Sequence, residues 1–144
     1  MTYQVFDKVT PDCHPAASVA YGYLETICSK DLKRFAAFLA PHTKAPFFAN
    51  LPGGVQVTDV NQFIEMHRGF FASERSGFQY RSVSHGVADG QFFLCSVQAF
   101  VTLPNGSERE VYIDMTLFLC QELWLPRRFI NTVIQASQAV LSHL

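Results

Sequence analysis

The second half of the chain restricts the fold most. From residue 78 to residue 135 it consists of four long, largely apolar runs separated by turn signals. The runs 78–87, 91–103, 108–121 and 123–135 are rich in Val, Ile, Leu, Phe and Tyr, which suit a pleated, half-buried surface. Asp89-Gly90 is a two-residue hairpin signal, and Pro104-Asn105-Gly106 is a second turn. The connection around Glu122 is weakly marked. Pro126 cannot donate to a ladder, so the last strand is expected to have an edge or a bulge near its start.

The first half supplies the cover for such a sheet. Pro15 sits where a helix can begin, and Ala17, Ala20, Tyr21, Leu24, Ile27 and Cys28 recur at three- and four-residue intervals, which predicts a helix over 15–29. Ser29 or Asp31 can cap a second helix with the stripe Leu32, Phe35, Ala36 and Leu39, ended by Pro41. Two short strands, 44–50 and 55–57, flank Leu51-Pro52-Gly53-Gly54. Thr58 or Asp59 then caps a third helix whose buried stripe is Val60, Phe63, Ile64, His67, Phe70 and Phe71. The expected class is α+β: a single domain over 1–144 in which three helices pack in the concave face of a cone-shaped, curved antiparallel or mixed sheet. Residues 1–14 form an N-terminal arm, and 137–144 a C-terminal tail.

One residue interrupts this pattern. Asp114 sits in the middle of Val111-Tyr112-Ile113-Asp114-Met115-Thr116-Leu117-Phe118-Leu119, the most continuous apolar run of the chain. A carboxylate buried there needs a partner, a hydrogen bond or a proton. Alternation puts Tyr112, Asp114, Thr116 and Phe118 on one face and Ile113, Met115, Leu117 and Leu119 on the other. The simpler assignment turns the mixed face into the concavity and leaves the apolar face for a dimer interface. The inverse fits the pattern too.

Composition excludes several classes. The net charge is −1 and no basic run is longer than two residues, as at Arg127-Arg128, too short for a phosphate-tracking surface, so no nucleic-acid partner is expected. No window approaches the ~18 apolar residues of a membrane helix, and the start lacks a secretory pattern. A cytoplasmic protein with no membrane association is expected. Cys13, Cys28, Cys95 and Cys120 share no metal-ligand spacing and read as reduced thiols. No metal and no cofactor are implied. The 14 Phe point to a large aromatic interior or a partly apolar surface.

The element order resembles that of the nuclear transport factor 2-like superfamily, with its cystatin-like fold, which includes ketosteroid isomerase, scytalone dehydratase and the SnoaL-like cyclases. The resemblance spans Ala16 to Gln135. It is carried by the helix-turn-helix segment from Tyr23 to Leu32, by the Val87-Ala88-Asp89-Gly90 hairpin and by Trp124 opening the last strand. It implies a homodimer packed sheet against sheet and a pocket for a small apolar molecule. Set beside ketosteroid isomerase, Tyr23 and Asp114 fall on that enzyme's oxyanion donors, and His67 falls near a further tyrosine of the same network. A neutral carboxyl and a phenol can both donate to an enolate oxygen. The position of the proton-shuttling aspartate falls on or beside Phe47, so a steroid isomerase using that base is not expected.

Two readings follow. In one, the cone is an isomerase, dehydratase or cyclase site for a small apolar carbonyl compound, with Asp114, Tyr23 and His67 catalytic and Phe47, Phe63, Tyr112, Thr116 and Phe118 lining it. In the other, the domain binds an apolar ligand or a protein partner without chemistry, and the polar trio is structural. His42 and His85 read as surface residues.

Overall fold

The computed structural model describes residues 3–136. Among them, three helices, α1 (Pro15–Cys28), α2 (Leu32–Leu39) and α3 (Val60–Ala72), lie against one seven-stranded sheet. Its strands are β1 (Gln4–Lys8), β2 (Phe48–Leu51), β3 (Val55–Val57), β4 (Gly77–Ala88), β5 (Phe92–Thr102), β6 (Glu108–Cys120) and β7 (Leu123–Ala136). Their order across the sheet is β1-β4-β5-β6-β7-β2-β3. β2 runs parallel to β7, and the other neighbouring pairs are antiparallel. This is the α+β cone expected from the sequence, mixed rather than purely antiparallel.

The arm expected over residues 1–14 contains a strand. Gln4 to Lys8 pair with Ser84 to Ala88 along the sheet edge, and nearly all their side chains are exposed. With both faces wet, such a strand needs no apolar alternation, which is why the sequence reads as a polar arm. The tail expected over 137–144 lies outside the described residues.

The helices begin where their caps dictate. His14, held extended (φ −162°, ψ 147°) before Pro15, accepts the Ala16 N–H on Nδ1 at 3.0 Å. Asp31 caps α2 through the Arg34 N–H at 3.1 Å, and Asp59 caps α3 through the Asn61 N–H at 2.8 Å. A Cβ on Gly22 would lie 2.6 Å from the Phe38 ring, so the absence of a side chain is what lets α1 and α2 meet there.

The sheet explains both uncertain turn signals. Gln121 and Glu122, between β6 and β7, both have positive φ (50° and 70°), a hairpin geometry built from residues that do not advertise it. Pro126 sits at a bulge: the β6–β7 register slips between Thr116 and Leu117, whose partners are Arg128 and Pro126. β7 is internal to the sheet, so the proline is accommodated by the bulge and not by an edge. The extra residue is Arg127, whose side chain turns inward. It is only 2 % exposed and donates to the carbonyls of Leu39, Ala40, Ala45 and Pro46. It thereby ties the C-terminal end of α2 and the segment before β2 to the sheet.

The phenylalanines fill the interior. Phe35 packs on Tyr23, Phe63 and Phe71, and Phe129 packs on Tyr23, Phe47 and Phe63, with ring centroids 4.8–6.1 Å apart. β6 contributes Val111, Ile113, Met115 and Leu117 to this interior. The simpler assignment of its two faces is therefore overturned, because the purely apolar set faces the helices. Packing against three helices calls for that set, whereas a mixed face can be wetted. Tyr112, Asp114 and Phe118 lie on the outer face, exposed. Thr116 is buried beside the bulge.

Candidate functional site

The concave side of the sheet leaves a cavity of about 440 Å³ between α1, α3 and the strands β5, β6 and β7. That volume is in the range of small-molecule sites. Its wall is mostly apolar, with Ile27, Phe63, Phe78, Val101, Ile113 and Phe129 among its residues. The residues in it that carry side-chain polar groups are Tyr23, His67, Arg109 and Asn131.

His67 reaches the cavity because it follows Phe63 by one turn on α3, on the face turned toward the sheet. Its Nδ1 lies 2.7 Å from the Phe63 carbonyl oxygen. A carbonyl can only accept, so Nδ1 carries the proton and the second nitrogen, Nε2, is left with a free lone pair. The ring packs against Phe63 (4.4 Å) and Phe35 (5.3 Å). Burial among these rings lowers the imidazole's pKa below 6.5, so His67 is neutral at neutral pH.

Tyr23 projects from the buried face of α1 and packs on the same Phe35 ring, 5.4 Å away. It is 4 % exposed, and burial raises its pKa, which keeps it a phenol. Its hydroxyl makes no hydrogen bond to another described residue, and no fully buried side-chain polar atom among these residues is left unpaired. The hydroxyl is therefore open to the cavity. Asn131 donates from Nδ2 to the Asn50 carbonyl at 3.1 Å, so its Oδ1 remains an acceptor. The wall thus offers a neutral imidazole nitrogen that can take a proton, a phenol that can donate a hydrogen bond, and an amide oxygen. Among the described residues, no aspartate or glutamate lines it.

Solved structures share this architecture. No protein-family profile and no curated protein sequence matches the chain. An uncharacterised protein with a cystatin-like fold from Caulobacter vibrioides superposes with a TM-score of 0.69 at 13 % identity, covering 86 % of this chain and 90 % of that one. A proposed dehydratase of the nuclear transport factor 2-like family from Streptomyces avermitilis gives 0.66 at 14 % identity, covering 83 % and 93 %. An LEH-like epoxide hydrolase from Mycobacterium tuberculosis gives 0.61 at 11 % identity, covering 82 % and 81 %. The chain has the nuclear transport factor 2-like fold. Identities this low establish the fold alone.

Within the nuclear transport factor 2-like cone, the residues singled out from the sequence separate into two groups. Tyr23, His67 and Phe63 meet at the cavity. Phe47 packs directly behind it, 5.0 Å from the Phe63 ring and under the Arg127 guanidinium, but is not part of its wall. Asp114 is not brought to them. It lies exposed on the outer face and accepts a hydrogen bond from Ser96 Oγ at 2.7 Å. Tyr112 and Phe118, 44 % and 37 % exposed, share that outer face, and Thr116 does not line the cavity either. Of the expected trio, the structure brings Tyr23 and His67 to one cavity and leaves Asp114 apart. His42 and His85 are exposed, as read from the sequence. Among the described residues no group of His, Cys, Asp or Glu could hold a metal ion, and no helix is long and apolar enough to cross a membrane.

Sequence reasoning missed Arg109 and Asn131. Both carried a signal. Each is the polar member of an inward-facing alternation, Arg109-Val111-Ile113 on β6 and Phe129-Asn131 on β7, visible once Ile113 and not Asp114 is taken to face the helices.

Proposed function

We propose that the cone is a SnoaL-like active site for a small apolar carbonyl compound, working by proton transfer of the isomerase, dehydratase or cyclase type. The observation that carries this reading is the 2.7 Å contact between His67 Nδ1 and the Phe63 carbonyl, which presents a neutral Nε2 in an apolar cavity shared with the Tyr23 hydroxyl. In the reaction, Nε2 takes a proton from the carbon beside the carbonyl. The C–H electron pair moves into the new C=C bond, and the carbonyl oxygen gains charge that Tyr23 meets with a hydrogen bond. The imidazolium then returns the proton to a different carbon, giving an isomer, or to a departing hydroxyl, giving a dehydrated product. Solved neighbours of the same fold include a proposed dehydratase and an epoxide hydrolase, which supports this class.

The test needs no knowledge of the natural substrate. Exchange of the activated C–H of 2-tetralone for deuterium, followed by NMR in D₂O, reads the first step. The wild-type protein is expected to accelerate exchange, and His67→Gln to reduce that acceleration by about 10²-fold or more. No acceleration with 2-tetralone and a panel of similar ketones, alongside demonstrated binding, would overturn catalysis. It would leave the second reading, a non-catalytic ligand-binding domain. That reading draws support from the absence of a carboxylate among the described residues of the wall and from Phe47 standing where the resemblance implies a base.

The outer face is our proposed homodimer surface. Phe100, Tyr112 and Phe118 are exposed there together with Asp114 and Arg128, and both charge signs on one face allow a two-fold, self-complementary match. Light scattering should give a dimer for the wild-type protein and a monomer for the double variant Tyr112→Lys, Phe118→Asp. The four cysteines are free thiols, which supports a reducing, cytoplasmic setting.

A further inference from the structure

Among the described residues, Arg109 is the one formally charged residue in the cavity wall. The β5–β6 ladder runs without a slip from Phe92↔Phe118 to Thr102↔Glu108, so alternation along β6 holds to its end. Arg109 shares the inward side with Val111 and Ile113, and its flanking acids, Glu108 and Glu110, fall on the opposite side. Glu110 is engaged there by Gln98 Nε2 at 2.8 Å. The guanidinium makes no hydrogen bond or ion pair with another described residue.

A half-buried cation over an apolar cavity that holds no carboxylate among the described residues is a poor way to stabilise a fold and a good way to bind an anion. We infer that Arg109 recognises a carboxylate, and that the cavity takes small apolar carboxylic acids. This deepens the proton-transfer reading and rests on it for the cavity. Four strand residues separate Arg109 from Ile113, about 13 Å along β6. Ile113 and the buried Tyr23 and Phe129 mark the deep end, whereas Arg109 stands near the exposed Pro104. An acid of this class therefore lies with its carboxylate at the outer end and its apolar body, bearing the carbonyl, reaching toward Tyr23 and His67. A single guanidinium forms two parallel hydrogen bonds with a planar carboxylate. A phosphate ester carries more charge and would call for a second cation. No second cation lines the cavity among the described residues, since His67 is neutral.

The experiment measures displacement of the neutral dye N-phenyl-1-naphthylamine by 4-phenylbutanoate and by 4-phenylbutanamide, which differ only in the charged end. In the wild-type protein the acid is expected to bind about tenfold or more tightly than the amide. Arg109→Gln should remove the difference by weakening the acid alone, and Arg109→Lys should restore part of it. The dye reports in the same titration that each variant keeps its cavity. Equal affinities in the wild-type protein, or a preference for the acid that survives Arg109→Gln, would overturn the assignment while leaving the cavity reading intact. Failure of the dye itself to enter would overturn both.

Discussion

Ser96 donates a 2.7 Å hydrogen bond to Asp114 across the β5–β6 pair, on the side of the sheet turned away from the cavity. The carboxylate that interrupts the most apolar run of the chain is thus solvated and paired on a surface. In the monomeric Tyr112→Lys, Phe118→Asp background, Asp114→Asn should change stability by no more than about 0.5 kcal/mol, the usual range for a surface substitution. It should leave ketone proton exchange unchanged in the isolated protein. Urea denaturation and the deuterium-exchange assay check the two halves of this statement. A large loss of exchange in a folded Asp114→Asn protein would return the residue to the site.

His67 gives a pH profile with a defined direction. Desolvation holds its pKa below 6.5, so Nε2 is free to take a proton at neutral pH and is blocked once the ring is protonated. The exchange rate should be flat on the alkaline side and should fall as pH drops through a value below 6.5. An NMR titration of the His67 ring protons should follow the same curve. A rate that instead rises toward acid would mean that the imidazolium, not the imidazole, is the working form.

Much of this arrangement was legible in the residues. The caps Asp31 and Asp59, the Asp89-Gly90 turn and the long strands follow from local rules, because each depends on side chains within a few residues of the backbone they serve. What period-two alternation could not supply was the sign of β6. It divides Tyr112, Asp114 and Phe118 from Ile113, Met115 and Leu117, but only the helices packed above decide which group goes in. A charge in a greasy run drew attention to the wrong side, and Arg109, four residues from Ile113 on the right side, was passed over. β1 was invisible for a related reason: an exposed edge strand is held by backbone hydrogen bonds to β4, and those leave no trace in side-chain pattern.

Arg127 should be the most costly cation to remove. It is the extra residue of the bulge opposite Thr116 and Leu117, and it satisfies four backbone carbonyls that α2 and the following segment would otherwise bury. Arg127→Leu is expected to destabilise the protein by about 3 kcal/mol, since carbonyls left without a donor keep their desolvation penalty. Arg127→Lys should recover only part of that loss, because an ammonium cannot reach the carbonyls at the end of α2 and those of Ala45 and Pro46 together as the guanidinium fork does. Denaturant midpoints for the two variants check the order. Equal midpoints for wild type and Arg127→Leu would show that water replaces the guanidinium without penalty.

His14 makes the fold itself sensitive to acid. Its Nδ1 accepts the Ala16 N–H at the start of α1, and its ring is stacked on Phe93 (4.9 Å) and set edge-on to Trp124 (5.2 Å). Desolvation lowers its pKa from 6.5 in the folded protein. The unfolded chain therefore binds a proton at a higher pH than the folded one does. The stability His14 contributes is complete above about pH 6.5 and is lost as pH falls from there through its lowered folded value, and the same sign holds for His67. Protonation at Nδ1 also removes the acceptor, so the cap is lost with the charge change. His14→Asn keeps an acceptor that does not titrate. It should flatten the fall in melting temperature between pH 7 and pH 5 relative to wild type, whereas His14→Ala should lower stability by about 1 kcal/mol at pH 7.5. An unchanged acid slope in His14→Asn would place the sensitivity on His67 alone, which the double variant His14→Asn, His67→Gln would then show by losing it.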